Sequence, residues 1–391
     1  MELSKKQLQL RSIILDKIYS KGPISRIDIA KDTGITPATT SSITGELIKE
    51  GLIYELGEDE KDVKVGRRKI LLEVKPQHSY FIGCEISEKY VSFVLEDNLG
   101  ERLKEKLIEV NEQILKKRKE QVIIDALLNF LDEVANNHIK SIGFSLPGRY
   151  LEDGVITTNN PLWSNFDLNK IQDSIEIPVY FSNNVNCMAL SKRLFPRNKN
   201  DENFIFFHFS RGMHCSYMYN GEIYGKANLL IGEIGHTIVN SSGELCGCGR
   251  RGCLQTYVGE NNLIKKAKML YKTPNSYLPH LVPDADLIDL EVILKAYRLG
   301  DEGIINLLRQ AIVYLAQSIN NLNMMIDSEK IYIHSPMLIE KELANNLCET
   351  INFQPKMLLE TPPIIEIVPY SDYTGADAAV ALCIKKDYLS D

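Results

Sequence analysis

Hydrophobic and polar positions follow two different rhythms along this chain, and the change between them marks a boundary. Over residues 5–20 the apolar residues Leu8, Ile13, Ile14 and Ile18 fall near helical spacing, which predicts a helix. A break follows at Gly22-Pro23. Ser25 to Thr33 then reads as a short helix, capped by Ser25 and closed at Gly34. Thr36 is a natural N-cap with Pro37 at the first helical position, opening a helix to about Glu50. On it Thr40, Ile43 and Leu47 share the inward stripe, leaving Ala38, Thr39, Ser42 and Gly45 outside. After Gly51, LIYEL and RRKILLEV (67–74) alternate like a hairpin around a charged tip.

From Tyr80 strands take over. YFIGCEIS, YVSFVLED and KEKLIEV predict three in succession, followed by a helix over 119–137 and the strand IKSIGFSLPG. Later come IPVYFSN, ENFIFFHFS, MHCSYMYNG, helices near 260–270 and 302–325, KIYIHSP, IIEIVPY and a final helix, ADAAVALCIKKDYL. Strand triplets followed by helices and further strands predict an α/β fold with mixed sheets. The expected domains are a head over 1–76 and a body over 77–391. The body divides into two lobes, about 77–190 plus the C-terminal helix and about 191–375, with a ligand expected in the cleft.

Two short helices across a glycine turn, then a hairpin, give a winged helix-turn-helix. Small hydroxyl residues at the front of the second helix let it approach bases and phosphates closely. The residues expected at DNA are Ser25, Thr36, Pro37, Ala38, Thr39 and Ser42, with Arg67, Arg68 and Lys69 at the wing. No arginine or asparagine stands at the outward positions to read a base bidentately, so the target sequence is not legible. A winged helix used only for protein contacts is the alternative.

Composition narrows the class. The 391 residues are 44% hydrophobic and 25% charged, an ordinary globular balance. No apolar run is long enough to span a bilayer, and the N-terminus lacks a signal-like core, so a cytoplasmic protein without membrane contact is expected. The net charge of −7 is uneven: residues 1–75 carry 14 Lys/Arg against 12 Asp/Glu, leaving an acidic body. That asymmetry permits nucleic-acid binding at one end only.

The densest chemistry is GHTIVNSSGELCGCGRRGCLQ (235–255). His236, Cys246, Cys248 and Cys253 form a His-x9-Cys-x-Cys-x4-Cys set. One imidazole and three thiolates suit a closed, tetrahedral, structural zinc site. Gly247, Gly249 and Gly252 allow the sharp turns this needs, and Arg250 and Arg251 offset thiolate charge. Reduced or disulfide-paired cysteines are the alternative.

The winged head, SLPG (145–148), PLW (161–163), the SNNVN turn, GEIGH (232–236) and CGCGRRGCLQ (246–255), in this order, resemble the ROK family. That family joins sugar kinases to sugar-responsive bacterial repressors of the xylose and N-acetylglucosamine type. The resemblance implies an actin-like (RNase-H-like) two-lobed body and a homodimer or homotetramer. It implies sugar contacts at Glu233 and His236, with His236 giving its other ring nitrogen to zinc. It also places Asn184 where the kinases carry their catalytic aspartate, and Gln255 where a sugar-binding glutamate stands.

An amide can hydrogen-bond a hydroxyl but cannot take its proton. Where the kinases have an Asp-x-Gly-Gly-Thr phosphate turn, this chain reads Glu85-Ile-Ser87-Glu88-Lys89, and IHSPML (333–338) lacks glycine. The expectation is a repressor that binds operator DNA and a small sugar or sugar derivative through Asn183, Asn184, Glu233, His236 and Gln255. No catalytic residue and no ATP are expected. The alternatives are an active sugar kinase with a DNA-binding head, and a ligand-independent regulator with a vestigial pocket.

Overall fold

A computed structural model describes residues 4–58, 69–110, 112–150, 154–158, 162–195, 201–225, 228, 230–352 and 364–390. Contacts divide the chain into one unit of Met1–Asp201 with Asp372–Asp391, and a second of Glu202–Ser371.

The head opens the first unit. Its helices are Lys5–Lys21, Arg26–Thr33 and Pro37–Lys49. Each begins on a hydroxyl cap that accepts a backbone N–H otherwise left orphaned: Ser4 from Gln7, Ser25 from Asp28, Thr36 from Thr39. Gly34, at φ 69°, ends the second helix in the left-handed conformation that glycine tolerates. Ile70–Val74 lies between Ile24–Ser25 and Ile53–Glu58 in a three-stranded antiparallel sheet. Ile14, Ile18, Ile29, Ile43, Leu47, Ile53, Leu72 and Val74 are buried, so helices and wing share one small core. The first helix departs from its expected stripe. It buries Ile14, Leu15, Ile18 and Tyr19, whereas Leu8 and Ile13 are 46% and 38% exposed. Ile13 is rotated about 100° from Ile14 and lies off the packed face.

The rest of the first unit is a five-stranded sheet. In spatial order its strands are Val179–Asn183, Ile139–Leu146, Tyr80–Ile86, Tyr90–Asp97 and Arg102–Glu109. The first three run parallel, and the hairpin pairs that follow are antiparallel. The helix expected over 119–137 spans Glu112–Glu133, and a non-helical Arg118 (φ −147°, ψ 41°) interrupts it where the periodicity became readable. Thr374–Tyr388 lies across this sheet at close range. A Cβ on Gly83 would stand 1.9 Å from the Ala376 carbonyl oxygen, and one on Gly143 2.1 Å from that of Ala379. These two glycines are register partners on adjacent strands, so together they form a floor on which a helix backbone rests.

The second unit repeats the connectivity. Its sheet orders Glu222–Ile223, Met213–Tyr219, Phe204–Phe209, Lys330–His334 and Ile364–Val368. Numbered along the chain within each sheet, both read 3-2-1-4-5, with two antiparallel joins and two parallel ones. The fold is therefore mixed α/β, a winged head followed by two RNase-H-like units. Helices Leu290–Arg298 and Lys341–Asn352, not anticipated from the sequence, pack with Glu302–Met325 around the second sheet. Among the described residues no helix is long and apolar enough to cross a membrane.

Candidate functional site

The cysteine-rich loop is built by short bridges. Ile238 pairs with Cys253 and Leu245 with Arg251, both antiparallel, and Cys246 N–H donates to the Arg250 carbonyl at 2.7 Å. Gly252 is obligatory here: its φ is 67°, and a Cβ would fall 1.5 Å from the Asn240 carbonyl oxygen. The folded loop brings His236, Cys246, Cys248 and Cys253 together, with all four donor atoms within 4.8 Å of one another. Cys246 Sγ lies 3.6 Å from His236 Nδ1, and Cys248 Sγ 3.6 Å from Cys253 Sγ.

A tetrahedral site with ligands at ~2.3 Å has edges of ~3.8 Å, while a disulfide needs ~2.05 Å between sulfurs. The spacing fits one shared metal ion, and all four donors have the right chemistry to hold it. The Cys248 thiol is pulled down to about 6: its slight burial opposes ionisation, but the backbone N–H and guanidinium of Arg250 outweigh that. This is the charge compensation expected of the arginine pair, and Arg250 supplies it.

His236 turns Nδ1 toward the cysteines, which leaves Nε2 on the opposite side of the ring. It closes the short helix Ile234–His236, at whose start Glu233 stands half-exposed, 3.6 Å from His214 Nδ1. Gln255 begins the turn Gln255–Val258, and its Oε1 lies 3.2 Å from where a Cβ on Gly235 would be. Glu233, Gly235, His236 and Gln255 thus form one polar wall in the second unit, anchored underneath by buried Leu254 and Val258.

In the first unit, Asn183 caps the helix Asn184–Leu194. Its Oδ1 accepts from Val185 (2.9 Å) and Asn186 (3.3 Å) N–H, and its Nδ2 donates to the Gly148 carbonyl at 3.0 Å. Most of its amide is committed to backbone, so it shapes the turn more than it faces a ligand. Asn184 Oδ1 also accepts from Val185 N–H. Its amide is further bonded to Glu85, which by sequence stands only as part of a lost phosphate turn. Glu85 is buried, and burial pushes its carboxyl up to about 8 despite donors from Asn184 and the Gly375 N–H. The one signal in the sequence was a carboxylate inside the apolar run YFIGCEIS. The neighbouring turn is closed by Ser87, whose hydroxyl bonds Tyr90 backbone on both sides.

A second missed group lies at the equivalent strand ends of the other unit. His208 and His334 are buried side by side, Nδ1 to Nδ1 at 2.9 Å, with Tyr370 stacked on His334. Burial holds His208 down at about 4 and His334 at about 2, so both are neutral near pH 7.

In the head, Thr36, Pro37, Ala38 and Ser42 are exposed and Thr39 is half-buried, on the outward face of one helix. Ser25 is a correction: it is 2% exposed, and its hydroxyl closes on Asp28 at 2.6 Å, so it is a cap and not a surface donor. Lys69 bonds both Asp28 oxygens, at 3.0 and 3.2 Å, and joins wing to helix. Arg67, Arg68 and Pro161 lie outside the described residues.

Comparison with known proteins adds to this geometry. The ROK family profile matches residues 81–386. The chain is 28% identical over 318 residues to the xylose repressor of Bacillus spizizenii, covering 80% of this chain and 78% of that one. It is 27% identical over 304 residues to the DNA-binding transcriptional dual regulator NagC of Escherichia coli, covering 75% and 72%. A solved ROK family transcriptional regulator, a homologue of the E. coli MLC protein, superposes with a TM-score of 0.76 at 23% identity, over 99% of this chain and 98% of that one.

Proposed function

The chain belongs to the ROK family, and we propose that within it this protein is a sugar-responsive transcriptional repressor that binds its effector without phosphorylating it. The observation that carries the reading is the combination of a capped, hydroxyl-fronted helix exposed on a winged head with a ROK body. Thr36, Pro37, Ala38, Thr39 and Ser42 meet operator DNA in this reading, with Arg67, Arg68 and Lys69 along the wing. Similarity to repressors named for xylose, and to NagC, supports it. The body works as a homodimer or homotetramer, presenting paired heads to a symmetric site.

Glu233, His236 and Gln255 take the sugar hydroxyls, with Asn184 a further contact and Asn183 holding the turn behind it. The Cys3His set holds zinc, and its task is structural: four protein donors leave no open position for water. The ion would fix the loop and set the tautomer of His236, so that Nε2 presents a defined N–H to a hydroxyl oxygen.

Against phosphoryl transfer stands the chemistry of Asn184. An amide cannot accept the proton that an attacking hydroxyl must lose. The acid beside it, Glu85, is buried and neutral near pH 7, and its turn offers side chains where a phosphate needs backbone N–H groups.

The test begins with selection of duplexes from a random pool by the full chain. Their affinity is then followed by fluorescence anisotropy against D-xylose, N-acetylglucosamine and D-glucose. A change of about tenfold or more with one sugar is expected, indifferent to ATP. Steady ADP release with any of these sugars would overturn the reading in favour of a kinase.

A further inference from the structure

Two helices of the first unit share both of their ends. Asn184–Leu194 and Thr374–Tyr388 pack against one another. At their N-terminal ends a single carboxyl joins them: Glu85 bonds the Asn184 side chain of one and the Gly375 N–H of the other. At their C-terminal ends both meet the first helix of the head. Arg193 donates bidentately to Asp16, at 2.8 and 2.5 Å. The Leu389 carbonyl accepts from Ser12 Oγ at 3.2 Å, and Tyr388 Oη lies 2.5 Å from Ser79 Oγ, just before the strand Tyr80–Ile86. Ser12 and Asp16 are one turn apart on the same helix face.

The Arg193 side chain is 4% exposed and that of Asp16 18%. Burial works against the Asp16 charge, but the guanidinium outweighs it and holds the carboxyl below its ordinary range. A buried ion pair adds little net stability compared with apolar packing, yet it fixes one geometry, because moving either partner strands a charge. An open surface pocket of about 460 Å³ lies beside the pair, lined by Leu8, Arg11, Ser12, His78, Lys140 and Tyr388. The head is tied to its neighbour at this seam by these directional bonds.

We infer that these two helices form a strut, with the Glu85–Asn184 node at one end and the Arg193–Asp16 pair at the other, through which a change at the node reaches the DNA-binding head. Asn184 is among the residues assigned above to the effector, so the regulatory meaning of the strut rests on that reading. The mechanical coupling does not, and it is measured without effector or operator. The helix spans about 16 Å, at ~1.5 Å per residue. Coupling over that distance is a free energy between two positions, and a mutant cycle isolates it.

The experiment is amide hydrogen exchange by mass spectrometry on the full chain, reading residues 5–21 and 26–33. Asn184→Ala, which cuts the node from the strut, is expected to speed exchange in residues 5–21 by about threefold or more. In an Arg193→Met background the same substitution is expected to add less than about 1.5-fold, because the tie is already gone. Asp16→Asn provides an independent break should Arg193→Met fail to fold, and unchanged protection of Tyr90–Asp97 certifies the fold in every variant. No response of residues 5–21 to Asn184→Ala, or an equal response in both backgrounds, overturns the strut. If the repressor reading alone is wrong, this coupling persists while no duplex is selected.

Discussion

The two sheets of this chain have the same strand order and opposite ways of filling space. The first strand of the first sheet, YFIGCEI, carries Gly83, and its parallel neighbour carries Gly143. The helix above is rich in alanine, with Ala376, Ala378, Ala379 and Ala381 all buried. Backbone therefore approaches backbone. The matching strand of the second sheet reads FIFFHF, and Phe204, Phe206, Phe207 and Phe209 are buried in it. There, large side chains fill the space beside the sheet. One connectivity thus tolerates both a thin and a thick layer, and only the thin one brings helix termini up to a strand-end carboxyl. The thick one carries neutral imidazoles at the equivalent position, and its polar wall stands instead beside a loop whose four clustered donors could hold a metal ion.

That contrast can be broken in order of expected effect. Cys253→Ser removes a donor from the loop, and one zinc per chain is expected to fall to none by elemental analysis. Structural zinc is worth ~10 kcal/mol or more in small peptides; here a loss of ~5 kcal/mol, confined to exchange protection around 236–258, is expected. Equal loss in Tyr80–Ile86 would mean that the two units are not independent.

Phe207→Ala opens a cavity in the thick layer and is expected to cost ~3–5 kcal/mol by urea unfolding. Gly83→Ala does the reverse in the thin one. Its methyl meets a backbone oxygen, with an expected cost of ~1–3 kcal/mol from overpacking. A neutral Gly83→Ala would show that the helix has room to lift.

Glu85 separates the units by pH. Its carboxyl sits at about 8 in the native state against 4.5 as its ordinary value, so the native state binds the extra proton. Its contribution to stability is complete below pH 4.5 and is lost as the pH rises to about 8, at up to ~1.4 kcal/mol per unit. Glu85→Gln is expected to flatten the wild type's decline across that window, seen in urea midpoints; parallel curves would show an ionised Glu85. Thr36→Ala, a lost cap in the head, is the smallest effect at ~1 kcal/mol. It should lower head protection without touching either sheet.

Local grammar made much of this legible. Ser25, Gly34, Thr36 and Pro37 mark helix ends within a few residues of themselves, and the helices begin and end where those residues say. The Cys3His cluster was readable for the same reason, since its cysteines and glycines lie within one short segment. What required the tertiary fold was less accessible. Leu8 and Ile13 look inward by hydropathy, but which face packs is decided by two other helices and the wing. Asp16 and Arg193 are 177 residues apart in sequence, and no local pattern pairs them. Asn183 and Asn184 read alike as amides, yet the fold makes one a cap and ties the other to a buried acid. Glu85 was visible only as an odd charge in an apolar strand, because its partners come from two distant helices.

The glycine floor also constrains the order in which the molecule can be made. The second unit, Glu202–Ser371, is one uninterrupted stretch, while the helix that covers Gly83 and Gly143 is synthesised after it. During translation the first sheet has all its strands but no lid, so its alanine-matched face stays open while the second unit already has every residue it needs. The unit that starts first is completed last.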